Sequence, residues 1–154
     1  MASLIITASS TGPTLALNPI LTNQINSKSA QTIEYSVERP TSTASGAVYD
    51  KIIEASAKYG IDTDNALRIA RCESNFRQYN EDGNVLHGKV NPADSGIFQI
   101  NEKWHLEASQ TLDLDIHTTK GNIEYAMRLM KKEGNRHWNW SKPCWGGDGP
   151  VKNA

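Results

Sequence analysis

Glu73 closes an apolar helical stripe: Ala66, Ile69, Ala70 and Glu73 recur three to four residues apart, the spacing of one helix face. Such a face turns toward a core, where a Glu without a partner is rare. Partial burial disfavours the carboxylate and raises its pKa. A Glu in that state keeps a proton near neutral pH and can donate it, which is the task of the general acid at a glycosidic bond. The competing reading is a Glu that snorkels or is ion-paired at a frayed helix end. A second carboxylate, Asp94, follows 94 − 73 = 21 residues later, beyond a turn-rich stretch that lets the two face each other across a cleft. Glycoside cleavage needs one acid to protonate the leaving oxygen and one group to stabilise the sugar cation or attack it. For Asp94 the competing reading is a turn cap after Pro92-Ala93.

Residues with sugar-binding chemistry follow. Gln99 and Asn101 carry amides whose donors and acceptors match hydroxyl and N-acetyl groups. Gly96 permits close backbone approach to a sugar, or a tight turn. Trp104 offers a flat apolar face and one N–H donor. Near the C-terminus, Trp138, Trp140 and Trp145 fall within eight positions; two of them are expected in the core and one remains for a glycan platform. Cys72 lies beside Glu73 and Cys144 among the tryptophans. In an oxidising compartment they can pair, closing a loop of about 70 residues worth up to roughly 4 kcal/mol in the chain-entropy model. Two buried thiols are the alternative. The Cys/His spacing of a zinc site is missing, so no metal and no cofactor are expected. Four scattered His support no Ser-His-Asp triad, and neither a phosphate loop nor a basic stripe for nucleic acid is present.

These residues need elements to hold them. Residues 1–45 are rich in Ser, Thr, Asn and Gln, with Pro13, Pro19 and Pro40, and read as a flexible leader or linker; a short strand over Thr32–Val37 is weakly suggested. The folded domain is expected over 46–154. Val48, Ile52, Ala55 and Tyr59 have helical spacing, with Gly60 as the stop. Asp62, Thr63 or Asp64 can cap a second helix that runs into Glu73. Turn residues dominate 78–95, with Val85-Leu86 and Lys89-Val90 as the arms of a small hairpin. Ile97 to Ile100 re-enters the core. A short helix over Glu102–Ala108 and a longer one over Thr119–Glu133 follow, the latter with Ile123, Ala126, Met127 and Met130 inward and Gly134 as its stop.

Two motifs carry a resemblance. Glu73-Ser74-Asn75-Phe76, with Arg71-Cys72 before it, and Asp94-Ser95-Gly96-Ile97-Phe98-Gln99-Ile100-Asn101 with Trp104 resemble the lysozyme superfamily, both animal C-type lysozymes and small bacterial lytic transglycosylases. The resemblance spans about residues 47 to 145. It implies a mainly α (α+β) lysozyme-like domain whose small β-hairpin lobe forms one wall of a glycan cleft. The implied substrate is peptidoglycan, at the β-1,4 bond between N-acetylmuramic acid and N-acetylglucosamine. Glu73 would be the general acid and base, and Asp94 the nucleophile or stabiliser. Ser74 would position the acid or the β-lobe, Gln99 would line the catalytic subsite, Asn101 an adjoining one, and Trp104 would stack on sugar. Tyr125, on the long helix, is a further cleft candidate; the Ala-Tyr-Asn step of many lytic transglycosylases is missing here. Together Ser74, Gly96, Gln99, Asn101, Trp104 and Tyr125 form the expected substrate-binding set.

Composition bounds the rest. The chain has 154 residues, 38% hydrophobic and 21% charged, with formal net charge −1, which suits one soluble globular domain with weak electrostatic attraction to anionic walls. No apolar run approaches the roughly 20 residues of a membrane helix. A monomer acting on peptidoglycan strands, without nucleic acid or membrane insertion, is the expectation. Its place would be extracytoplasmic: secreted, periplasmic or at the cell wall. Met1–Ala8 makes a poor signal peptide for want of a basic flank. The alternatives are a non-catalytic wall-binding or assembly module on the same fold, and a phage-type lysin.

Overall fold

The computed structural model describes residues 37–147. The first helix, α1 (Thr43–Tyr59), buries Val48, Ile52 and Ala55 on one face and ends at Gly60, whose φ of 68° accepts the left-handed turn. Asp62 caps α2 (Thr63–Ser74): its Oδ1 accepts the Asn65 N–H at 2.8 Å. Ala66, Ile69 and Ala70 are fully buried along α2, so the stripe that leads to Glu73 does face the core.

Two short antiparallel strands follow, β1 (Asp94–Ser95) and β2 (Ile100–Asn101), in the register Asp94↔Asn101 and Ser95↔Ile100. Next come α3 (Glu102–Gln110) and α4 (Thr119–Glu133). The Thr118 hydroxyl caps α4 by accepting the Gly121 N–H, and Gly134 stops it at φ 65°. A 3-10 segment, Arg136–Ser141, leads into the single-turn α5 (Lys142–Trp145). The fold is mainly α with one small antiparallel sheet. Helix α1 packs against α2 and α4, and Phe76, Ile97, Phe98, Ile116 and Met127 are buried in the core. Among the described residues, no helix is long and apolar enough to cross a membrane.

Three expectations need correction. The hairpin lies at 94–101, not at Val85-Leu86 and Lys89-Val90. Leu86 N instead donates to Gln78 O and Leu86 O accepts from Gly96 N, while Val85 bridges Tyr79 and His87 bridges Ser95. These longer-range pairings satisfy the backbone that a local hairpin would have used, and Val90 is left fully in solvent. The packed body also starts ahead of residue 46. Val37 is buried, its N–H donates to Asp64 Oδ1 at 3.1 Å, and its carbonyl accepts from the Tyr49 hydroxyl at 2.8 Å. Residues 37–45 are thus not leader, and α1 begins at Thr43. The remainder of the expected leader, 1–36, and all but the last residue of the strand expected over Thr32–Val37 lie outside the described residues. The third correction, on Gly96 and Tyr125, belongs to the site.

Candidate active site

A cleft of about 1110 Å³ runs between the C-terminal end of α2, the hairpin with the loop before it, the start of α3, and the 3-10 segment. Glu73 reaches it because α2 stops one residue later. Asn75 and Phe76 both take positive φ, 53° and 63°, which turns the chain sharply and drives Phe76 into the core. Neither residue adopts that conformation readily, and strain of this kind persists only where the surroundings over-determine it. Gln99, on the hairpin turn at the other side of the acid, is a third such residue with φ 46°.

Burial holds the Glu73 carboxyl above its ordinary pKa. The negative charge of Asp94 pushes in the same direction, and a hydrogen bond from the Ser141 hydroxyl to Glu73 Oε1 pulls the other way. Asp94 lies at the start of β1 and lines the same cleft. Its Oδ1 accepts from Asn101 Nδ2 at 2.7 Å and from Asn91 Nδ2 at 2.9 Å. The arrangement therefore brings a buried carboxyl with a raised pKa and a second, amide-held carboxyl into a single cleft, the two groups that acid-assisted glycoside cleavage uses.

The other predicted residues divide. Gln99, Asn101 and Trp104 line the cleft, and Trp104 is 79% exposed. Ser74 is buried at its base; its hydroxyl donates to Ile97 O at 2.8 Å and so ties the end of α2 to the hairpin. Cys72 and Cys144 form a disulfide that fastens α5 to α2. Of the three tail tryptophans, Trp138 and Trp145 are buried, whereas Trp140 stands at the cleft mouth 99% exposed.

Gly96 is not among the residues that line the cleft. A Cβ on it would come within 2.5 Å of Gln78 Oε1 and of Asn122 Nδ2, so its lack of a side chain serves internal packing and the turn at φ 70°. Tyr125 is buried and is not among the cleft-lining residues; its hydroxyl lies 3.1 Å from Nδ1 of His105, which is.

Four contributors escaped the sequence reading. Asn91 steadies Asp94, and an Asn three residues before an Asp across a Pro is a turn signal that could have suggested it. His105 and His137 form an edge-to-face pair on the cleft wall with ring centres 5.0 Å apart, and burial lowers the His105 pKa. No spacing rule joins residues 32 positions apart. Ser141 could have been found by pairing the two cysteines, since that places the turn before Cys144 next to Glu73. Among the described residues, no group of His, Cys, Asp and Glu is arranged to hold a metal. No family model matches the chain, and neither a curated protein nor a solved structure matches it.

Proposed function

We propose that this protein is a peptidoglycan glycosidase with a lysozyme-like fold, cleaving the β-1,4 bond between N-acetylmuramic acid and N-acetylglucosamine. The observation that carries the reading is Glu73: a carboxyl kept protonatable by burial, opening into a cleft beside a second, amide-held carboxylate. The cleft volume exceeds the roughly 300–1,000 Å³ of a pocket for a small ligand, which suits an oligomer. Glu73 donates its proton to the bridging oxygen as the bond to the muramyl C1 breaks, and positive charge spreads over C1 and the ring oxygen. Asp94 stabilises that charge or bonds to C1. Glu73, now ionised, takes a proton from the incoming nucleophile. If that is water, the product carries a reducing muramyl end; if it is the muramyl 6-hydroxyl, an anhydro end forms. An Asp94 side chain held in the cleft by Asn91 and Asn101 favours the hydrolytic ending, and the disulfide supports action in an oxidising, extracytoplasmic compartment.

A second reading, a glycan-binding module without turnover, draws on Trp104 and Trp140, two exposed platforms at the cleft that need no chemistry to bind. Mass spectrometry of purified peptidoglycan digested with wild type and Glu73→Gln separates the two. The proposal expects new chain ends from the wild type, either reducing or anhydro, and a loss of about a thousandfold in the variant. Turnover should fall as pH rises through the raised Glu73 pKa, so the alkaline limb lies above the ordinary carboxyl range. A folded wild type that releases no ends while still binding glycan would establish the module instead.

A further inference from the structure

We infer that Ser141 is a positioning residue that holds one carboxyl oxygen of Glu73, Oε1, and thereby presents the other, Oε2, to the glycosidic oxygen. The inference rests on the glycosidase reading and assigns Ser141, 68 residues from the acid, to the same reaction. The Ser141 hydroxyl has three neighbours: Glu73 Oε1, Trp138 O at 3.1 Å and Trp145 Nε1 at 3.1 Å. An indole N–H only donates, so Trp145 occupies a lone pair and leaves the single hydroxyl proton to one of the two acceptors. Glu73 Oε1, at 2.5 Å, is much the nearer of the two and takes it. With Oε1 engaged, the acidic proton belongs on Oε2, which accepts nothing from the described residues. As Glu73 gives that proton to the leaving oxygen, negative charge grows on the carboxyl group and the bond from Ser141 strengthens. An interaction that strengthens along the reaction raises kcat more than it lowers KM.

The seat of Ser141 is built for this. Cys144, one turn further on, is bonded to Cys72, the residue before Glu73, so donor and acid are tied to the same helix. Arg68, also on α2, donates from Nε to Trp145 O at 2.9 Å. The indole of Trp145 reaches Trp138 O at 2.9 Å as well, so it keeps a partner when the Ser141 hydroxyl is removed. The other ionisable groups of the cleft are Asp94 on the hairpin, His87 and Lys89 on the loop before it, His105 on α3, His137 on the 3-10 segment, and Arg71 and Arg77 around the end of α2. Of these, Asp94 is the one whose charge raises the Glu73 pKa, opposing Ser141.

The test is a carbon-13 titration of the Glu73 side chain in wild type, Ser141→Ala and Ser141→Thr, run beside pH–rate profiles on peptidoglycan. Ser141→Ala should move the Glu73 midpoint and the alkaline limb of the rate profile upward together. It should lower kcat about tenfold with KM nearly unchanged, and Ser141→Thr should restore both. An active wild type whose Ser141→Ala variant titrates and turns over as before overturns the role of Ser141 alone. A wild type without turnover overturns the glycosidase reading and this role with it, even where the titration midpoint moves.

Discussion

The two sides of the cleft are anchored by different chemistry. The hairpin side hangs on buried amides. Gln78 Oε1 accepts from Ile97 N at 3.2 Å, and Asn122 Oδ1 from Phe98 N at 2.9 Å. The Asn122 amide also donates to Ser95 O at 3.1 Å and Ile116 O at 2.9 Å. The tail side hangs on a covalent bond and on indoles: Cys72–Cys144, Trp145 Nε1 to Trp138 O, and Arg68 to Trp145 O. They meet directly where Trp138 Nε1 donates to Phe98 O at 2.8 Å, with the rings of Phe98 and Trp138 packed edge to face. The hairpin presents Asp94, and the tail, through Ser141, holds Glu73. Hydrogen-bonded amides fix a loop by satisfying every backbone group it buries. A disulfide fixes a segment that has too little regular structure of its own to hold a register.

Removing the covalent anchor should have the largest effect. The double variant Cys72→Ala/Cys144→Ala should lose up to about 4 kcal/mol in urea unfolding. Its amide hydrogens at 138–145 should exchange faster, while Ile97 and Phe98 keep their protection. Equal loss on both sides would mean that the cleft walls open as one unit. The amide-held wall is broken by Gly96→Ala, which puts a Cβ against Gln78 and Asn122 at a positive φ and should cost about 3 kcal/mol. Gly83→Ala has a similar φ of 82° with nothing within 4 Å, so it measures the backbone cost alone, about 1 kcal/mol. A comparable loss from both would remove the amide pair from the account. The smallest effect belongs to Trp140→Ala. Stability should change by less than about 0.5 kcal/mol, since the side chain is fully in solvent. KM for glycan should rise about fivefold if the indole stacks on sugar, and an unchanged KM would leave Trp104 as the working platform.

The same contrast explains what the sequence could reveal. Helix α4 and the run of α2 into Glu73 are legible because the apolar period, the cap at Asp62 and the stop at Gly134 act within a few residues. The placement of Gln99, Asn101 and Trp104 at the cleft was legible through motif resemblance, not through periodicity. The hairpin was misplaced because its register is fixed by Gln78, Leu86 and Asn122, contacts that reach 8 to 27 residues along the chain. Tyr125 was expected in the cleft, but the α4 stripe carries it inward, and only its hydroxyl finds a polar partner. Ser141 was missed because its contact with Glu73 is set by the cross-link of Cys144 to Cys72, and the sequence left that pairing open.

Gly96, Gln78 and Asn122 also constrain how this protein can vary through time. Each is packed so closely on the others that a side chain at 96 demands a shorter one at 78 or 122, and a shorter one there strands the backbone N–H of Ile97 or Phe98. Every single step away from the trio is unfavourable by itself. The three positions should therefore drift together or not at all, and a lineage that replaced one of them would have to rebuild the wall that carries Asp94 before it could keep whatever that carboxylate does.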